Sequence, residues 1–140
     1  MNRNAWASSF IDAIGAVHGD RNAWALVSWM QAEGGNAKWN PLNTTWDMHV
    51  AGQSNYNSTG VKNYPSFEVG LEASKKTILQ TNPDYGFVAI LRRLRNDAPA
   101  FKTLLAVEDS RWGTGGLALD CLPFVREDYW RYASHTIAGS

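Results

Sequence analysis

A mainly α-helical domain, with a long loop or short-strand segment set into it to form a cleft, is what the sequence predicts, and three observations carry the prediction. Apolar residues recur at helical spacing on both sides of the stretch 34–65. That stretch turns to Asn, Gly, Ser, Thr and aromatics, with no 3.6-residue period and little strict alternation. The helix before it ends Trp29-Met30-Gln31-Ala32-Glu33-Gly34-Gly35, and Glu33 falls on the same apolar face as Leu26, Trp29 and Met30, where a leucine would be expected.

Trp6, Phe10, Ile11, Ile14 and Val17, followed by Gly19, predict a first amphipathic helix of about four turns. Asp20 is the expected cap of a second helix, Arg21 to Glu33, which is apolar on much of its circumference and therefore central. Gly34-Gly35 stops it, because glycine readily adopts the left-handed conformation that closes a helix. The following segment is long for a structureless connection, so it is either functional or partly paired as short strands. Ser66 caps a third helix with Phe67, Leu71, Ser74 and Ile78 inward and Lys75 and Lys76 outward. A fourth, from about Asp84 to Arg95, turns Phe87, Ile90, Leu91 and Leu94 inward and Arg92, Arg93 and Arg95 out. In a fifth, Ala98 to Glu108, the inward residues are expected to be Phe101, Leu104 and Leu105, before a glycine-rich loop. The domain is expected to span 1–116, leaving 117–140 as a tail. Leu119, Leu122, Phe124, Val125 and the cluster Tyr129 to Tyr132 would dock it, and Ala138-Gly139-Ser140 would lead toward a linker.

Composition excludes several function classes. In 140 residues, 13 basic side chains balance 13 acidic ones, which removes the electrostatic footprint of a nucleic-acid binder. The start lacks the apolar core of a signal peptide and no run approaches membrane-spanning length, so a membrane partner is not expected. A single cysteine, Cys121, allows no internal disulfide and no thiolate zinc knuckle. Phosphate-binding and dinucleotide loops are missing, and His18, His49 and His135 are scattered, so neither a cofactor nor a metal site is expected. A cysteine peptidase would need Cys121 paired with His49 or His135, whereas its setting between Leu119 and Leu122 suits a buried inert thiol better. Of seven tryptophans, Trp29, Trp39, Trp46 and Trp112 are expected to be partly exposed and to line a groove for a flat, amphipathic ligand.

Glu33 is the candidate for chemistry. Desolvation by Trp29 and Met30, with the negative end of the helix dipole, would raise its pKa toward the range a general acid needs near neutral pH. The competing reading is a solvated Glu in a last helical turn. Asp47 is the one carboxylate between Glu33 and Glu68, and His49 the one imidazole there; both also fit ordinary loop positions.

The order Gln31-Ala32-Glu33-Gly34, Asn40-Pro41-Leu42-Asn43-Thr44-Thr45, Asn55 to Ser66 with its Gly60-Val61-Lys62-Asn63-Tyr64-Pro65, Gly70-Leu71-Glu72-Ala73, Tyr85 and Trp112-Gly113-Thr114 resembles the lysozyme-like superfamily. The similarity is to lysozyme- and transglycosylase-type domains of actinobacterial phage endolysins and tail proteins. It implies a lysozyme-like helical fold, a peptidoglycan glycan strand as partner and Glu33 as general acid against the glycosidic oxygen. Asp47 would be the second carboxylate, and Tyr85 is similar to the tyrosine that faces the acid in lytic transglycosylases, although packing at a helix start suits it equally. Asn40 and Asn43 would hold the loop or donate to acetamido and hydroxyl groups. Lys62, Asn63 and Tyr64 would line the cleft floor, and Trp39, Trp46 and Tyr56 would complete the binding groove. If Asp47 does not serve, Glu33 acts first as acid and then as base, with the substrate's acetamido group or 6-hydroxyl attacking the anomeric carbon. Hydrolysis and transglycosylation both stay open. The resemblance further implies a monomer, tethered or not to a wall-binding module, held in the host cytoplasm before lysis or carried on the virion. A peptidase acting on stem peptides and a non-catalytic glycan-binding module are the rival readings.

Overall fold

The computed structural model describes every residue from Met1 to Ser140. Seven helices and one two-stranded hairpin make up the chain: α1 Arg3–Ala13, α2 Asp20–Glu33, β1 Ser54–Asn55, β2 Lys62–Asn63, α3 Phe67–Ile78, α4 Phe87–Arg95, α5 Ala100–Glu108, α6 Leu117–Glu127 and α7 Tyr129–Ala133. The strands run antiparallel with Ser54 opposite Asn63. The long segment is therefore paired only briefly, and most of its shape comes from other bonds. No helix is long and apolar enough to cross a membrane.

Helix α2 is the axis, packed against α1, α5, α6 and α7. Its Leu26, Val27, Trp29 and Met30 are fully enclosed, as its near-continuous apolar circumference requires. Gly34 ends it at φ +81°, as expected. Asp20 is the first residue of the helix, not its cap; Gly19 takes that place and makes no side-chain bond. The Asp20 carboxylate instead sits in the first turn, where it complements the positive end of the dipole.

Helix α1 is capped by Asn2, whose side chain accepts from Ala5 N, and it stops at Ala13, a turn short of the expected end. Gly15 turns the chain at φ +66°, which leaves Val17 on the surface. Ser66 caps α3 by accepting from Val69 N. Near its start Gly70 is required by close approach: a Cβ there would stand 1.8 Å from the Trp39 carbonyl oxygen.

Helix α4 starts at Phe87, after Gly86 in the left-handed region, and buries Phe87, Ile90 and Leu94. The inward face of α5 differs from expectation. Ala100, Thr103, Leu104 and Val107, a full i, i+3, i+4, i+7 stripe, are buried, while Phe101 and Leu105 are 48% and 44% exposed. Leu104 belongs to either stripe, and the slimmer one is the one covered.

The expected boundary at residue 116 does not divide the core. Ala118, Leu122, Val125, Ala133 and Ile137 belong to the same apolar cluster as Trp6, Leu26 and Leu104. Residues 117–140 form two helices and a segment pinned to the start of the chain and to Trp39. Arg3 N donates to His135 O, Ile137 N to Met1 O and Trp39 N to Ala138 O. Phe124 and Trp130, expected to dock, are 60% and 59% exposed.

Candidate active site

Glu33 closes α2, and its carboxyl is held from two sides. Trp29 Nε1, one turn back, donates to Oε1 at 3.3 Å. From the loop, Asn43 Nδ2 donates at 2.9 Å both to Oε2 and to the Glu33 backbone oxygen. The same amide therefore satisfies a carbonyl that the helix end leaves open and fixes the acid.

Asn43 reaches this position at φ +56°, a conformation Asn tolerates better than most residues. Asn40 sets it there. Fully buried, Asn40 donates to Thr44 O at 2.9 Å and Lys62 O at 2.8 Å, and accepts from Thr44 N at 2.9 Å. Thr44 Oγ1 is bonded in turn to Thr77 Oγ1 on α3 at 2.5 Å.

Burial pushes the Glu33 carboxyl up to about 7; the Asn43 and Trp29 hydrogen bonds pull it back, and the Glu108 charge adds to the rise. A carboxylic acid in that state carries its proton at near-neutral pH and can give it to a leaving oxygen.

Aromatic rings continue the wall. Trp112 stands edge-on to Trp29 at 4.8 Å and donates from Nε1 to Leu42 O at 2.6 Å. Phe87 lies 5.4 Å from Trp112, and Tyr85 5.6 Å from Phe87. The Arg111 guanidinium covers the Tyr85 ring at 4.6 Å. Beyond this wall a hollow of about 280 Å³ is lined by Thr45, Thr77, Gln80, Tyr85, Phe87 and Arg111. A larger hollow of about 400 Å³, lined among others by Arg93, Phe101 and Leu105 of α4 and α5, includes none of the groups that hold Glu33.

The expected site residues part company here. Glu33 and Asn43 are in contact, and Tyr85 joins them through the chain of rings. Trp29 and Trp112 are buried, not half-exposed, because each spends its ring and its N–H inside the wall. Asn40 uses both ends of its amide on the backbone and so holds the loop instead of offering donors to a ligand. Trp39 packs edge-on to Phe67 at 6.1 Å, and Gly139 lies against its ring. Tyr64 is buried with its hydroxyl donating to Trp46 O at 2.6 Å, and burial pushes its phenol up. It anchors the loop and lines no floor.

On the hairpin, Lys62 Nζ donates to Asn55 Oδ1 at 2.6 Å, while Asn63 accepts from Lys38 N at 2.9 Å and donates to Ser54 Oγ at 3.1 Å. Tyr56 is exposed and Trp46 half-buried. The exposed Asp47 accepts from Gln53 Nε2 at 2.9 Å and His49 N at 2.7 Å, bonds that hold its carboxyl below the usual range. No hydrogen bond joins it to Glu33 or to the groups that hold Glu33.

Glu108 and Arg111 were not singled out by sequence. Glu108 accepts from Thr114 N at 3.1 Å and from Thr114 Oγ1 and Gly116 N, folding the 113–116 loop back beside the acid. A carboxylate at a helix end, followed by glycines whose N–H groups need acceptors, is the signal that points to it. Burial pushes the Cys121 thiol up, away from the thiolate a nucleophile needs. No group of three or more His, Cys, Asp or Glu converges as metal ligands would. Compared with family models, curated proteins and solved structures, the chain matches none.

Proposed function

We propose that this chain is a glycan-cleaving enzyme with a lysozyme-like fold, acting on the glycan strands of bacterial peptidoglycan with Glu33 as general acid. The observation that carries the reading is the Glu33 carboxyl itself: half-buried at a helix end, gripped by Asn43 and Trp29, and raised to about 7. The motif order from Gln31 to Thr114 supplies the substrate class. In the first step Glu33 donates its proton to the glycosidic oxygen, the bond to the anomeric carbon breaks, and the leaving sugar departs as an alcohol.

Asp47 is committed to Gln53 and His49, and Glu108 to the 113–116 loop. We therefore assign both proton transfers to Glu33. The substrate's own acetamido group or 6-hydroxyl takes the place of the departing oxygen on the anomeric carbon, and the ionised Glu33 takes the proton of that hydroxyl, or of the water that then attacks the same carbon and displaces the acetamido oxygen. The enzyme acts at the cell wall as a lysin module, released from the host cytoplasm or carried on a virion.

Glu33→Gln keeps the shape of the side chain and can still accept from Trp29, but has no proton to give. Lysis of cell-wall suspensions should fall at least about 100-fold with the circular dichroism spectrum unchanged. Undiminished lysis by Glu33→Gln would refute the assignment.

A further inference from the structure

Two faces of the molecule leave large apolar side chains in solvent, and the two carry opposite charge. On α5, Phe101 and Leu105 stand one turn apart, both close to half exposed, and with Ala89 of α4 they line the hollow of about 400 Å³ between these helices. Arg92, Arg93, Arg95 and Lys102 are all exposed on the same pair of helices. Of the carboxylates nearby, Glu108 turns to the 113–116 loop and Asp97 to Gly19, which leaves Asp109 at the rim of the hollow.

On α6, Leu117 and Phe124 lie two turns apart on one side of the helix, and they and Trp130 of α7 are each more than half exposed. The charged groups here are of the other sign: Asp120, Glu127 and Asp128 are exposed. Arg126 is drawn off over the Trp24 ring at 5.4 Å, which leaves Arg131. Phe124, Glu127, Asp128, Arg131 and Tyr132 enclose a hollow of about 390 Å³. The ion pairs of the molecule, Asp12 with His18, Asp47 with His49 and Glu72 with Lys76, use none of the charges on either face.

An isolated exposed apolar residue is ordinary, whereas a contiguous set marks a contact surface. Charge then selects the occupant. A face with four cations against one carboxylate repels its own copy, and so does a face with three carboxylates against one cation, but each complements the other. Contact between two copies is therefore heterologous, one face of the first molecule on the other face of the second. Phe101, Phe124 and Trp130 would supply most of the affinity, and the exposed ion pairs, individually weak, the register.

We propose that copies of this chain associate head to tail, the basic apolar face of α4 and α5 receiving the acidic apolar face of α6 and α7 of a second copy. This replaces the monomer that the resemblance implies. Neither face includes Glu33, Asn43 or Trp29, so the proposal and the reading of Glu33 are tested separately.

Sedimentation velocity on the unmodified chain is the first measurement. Its weight-average mass should rise at least about twofold above that of one chain between about 1 μM and about 1 mM protein, and fall again as salt is added. Phe101→Ser and Phe124→Ser each remove an exposed ring from one face and spare the core, so both variants should keep their circular dichroism spectra and sediment as monomers. Mixed one to one, they should form a dimer and go no further, because each supplies the face the other lacks. An unmodified chain that stays monomeric throughout the range would overturn the proposal and leave each face to a foreign partner of opposite charge. Association that survives one of the two substitutions, that salt leaves unchanged, or that the mixture fails to restore would overturn it as well.

Discussion

Around Trp6 and Phe10 the helices are held mainly by apolar contact, with polar bonds only at the rim, such as Arg3 to Gln31 and Tyr129 to Asn4, whereas between Asn36 and Ser66 the chain is held by amides. Trp6 stacks on Phe10 at 5.1 Å, both fully buried, and even the Trp6 Nε1 goes without a partner. In the loop, by contrast, Asn40 ties three backbone groups, Asn57 accepts from Thr59 N and Val61 N, and Tyr64 reaches Trp46 O. Apolar contact has no direction and tolerates small shifts, while hydrogen bonds fix positions and angles. Glu33 stands where the two regimes meet, held by Trp29 from the helix and Asn43 from the loop. The core supplies the desolvation that raises its pKa, and the loop supplies its aim.

The comparison can be broken first in the core. Trp6→Ala should cost about 4 kcal/mol of stability, read from denaturant unfolding, with turnover per folded molecule unchanged. A large loss of turnover in the folded fraction would show that the core also sets the aim of the acid.

Asn40→Ala should cost somewhat less, roughly 3 kcal/mol for the backbone groups it strands. Unlike Trp6→Ala, it should also depress turnover, because Asn43 loses its support. Normal turnover here would mean that the amide network only stabilises.

A third effect follows from linkage. The folded protein holds the Glu33 proton up to about pH 7, against 4.5 for the ordinary carboxyl. The stability tied to that proton is complete below about pH 4.5 and is lost as pH rises through 7, up to about 3 kcal/mol. Glu33→Gln should flatten this slope, making the variant the more stable protein at pH 8 in denaturant titrations.

The smallest effects are two opposed shifts. Asn43→Gly keeps the left-handed backbone but removes a hydrogen bond to the carboxylate, so the alkaline limb of the activity profile should move up in pH. Glu108→Gln removes a like charge and should move the limb down. Shifts in the same direction would show that loop displacement, not local electrostatics, governs the acid.

What was legible in the sequence follows the same division. The Gly34 stop, the Ser66 cap and the apolar setting of Glu33 depend on neighbours within a few residues, and all could be read. The hairpin at 54–63 was foreseen only as a possibility, since its strands are two residues long and its register depends on Asn63 and Tyr64 meeting Lys38. Trp29 and Trp112 look exposed in sequence because their flanks are polar, yet they bury each other across 83 positions of chain. The nine residues of α5 carry two overlapping apolar stripes, and only packing chose between them. In residues 117–140 the sequence points to the large side chains, Phe124 and Trp130, as the docking groups, whereas these face solvent and smaller residues such as Ala118 and Ala133 do the packing. For Glu108 the carboxylate ahead of a glycine-rich loop is the one local sign, and its role is fixed only when the 113–116 loop folds back onto it.

The most direct test follows the Glu33 side-chain carboxyl by carbon-13 NMR against pH, alongside turnover on soluble glycan at the same pH values. The account predicts a midpoint near 7, with turnover falling on the alkaline side through the same midpoint. A midpoint near 4.5, or turnover that holds steady while Glu33 loses its proton, would contradict it.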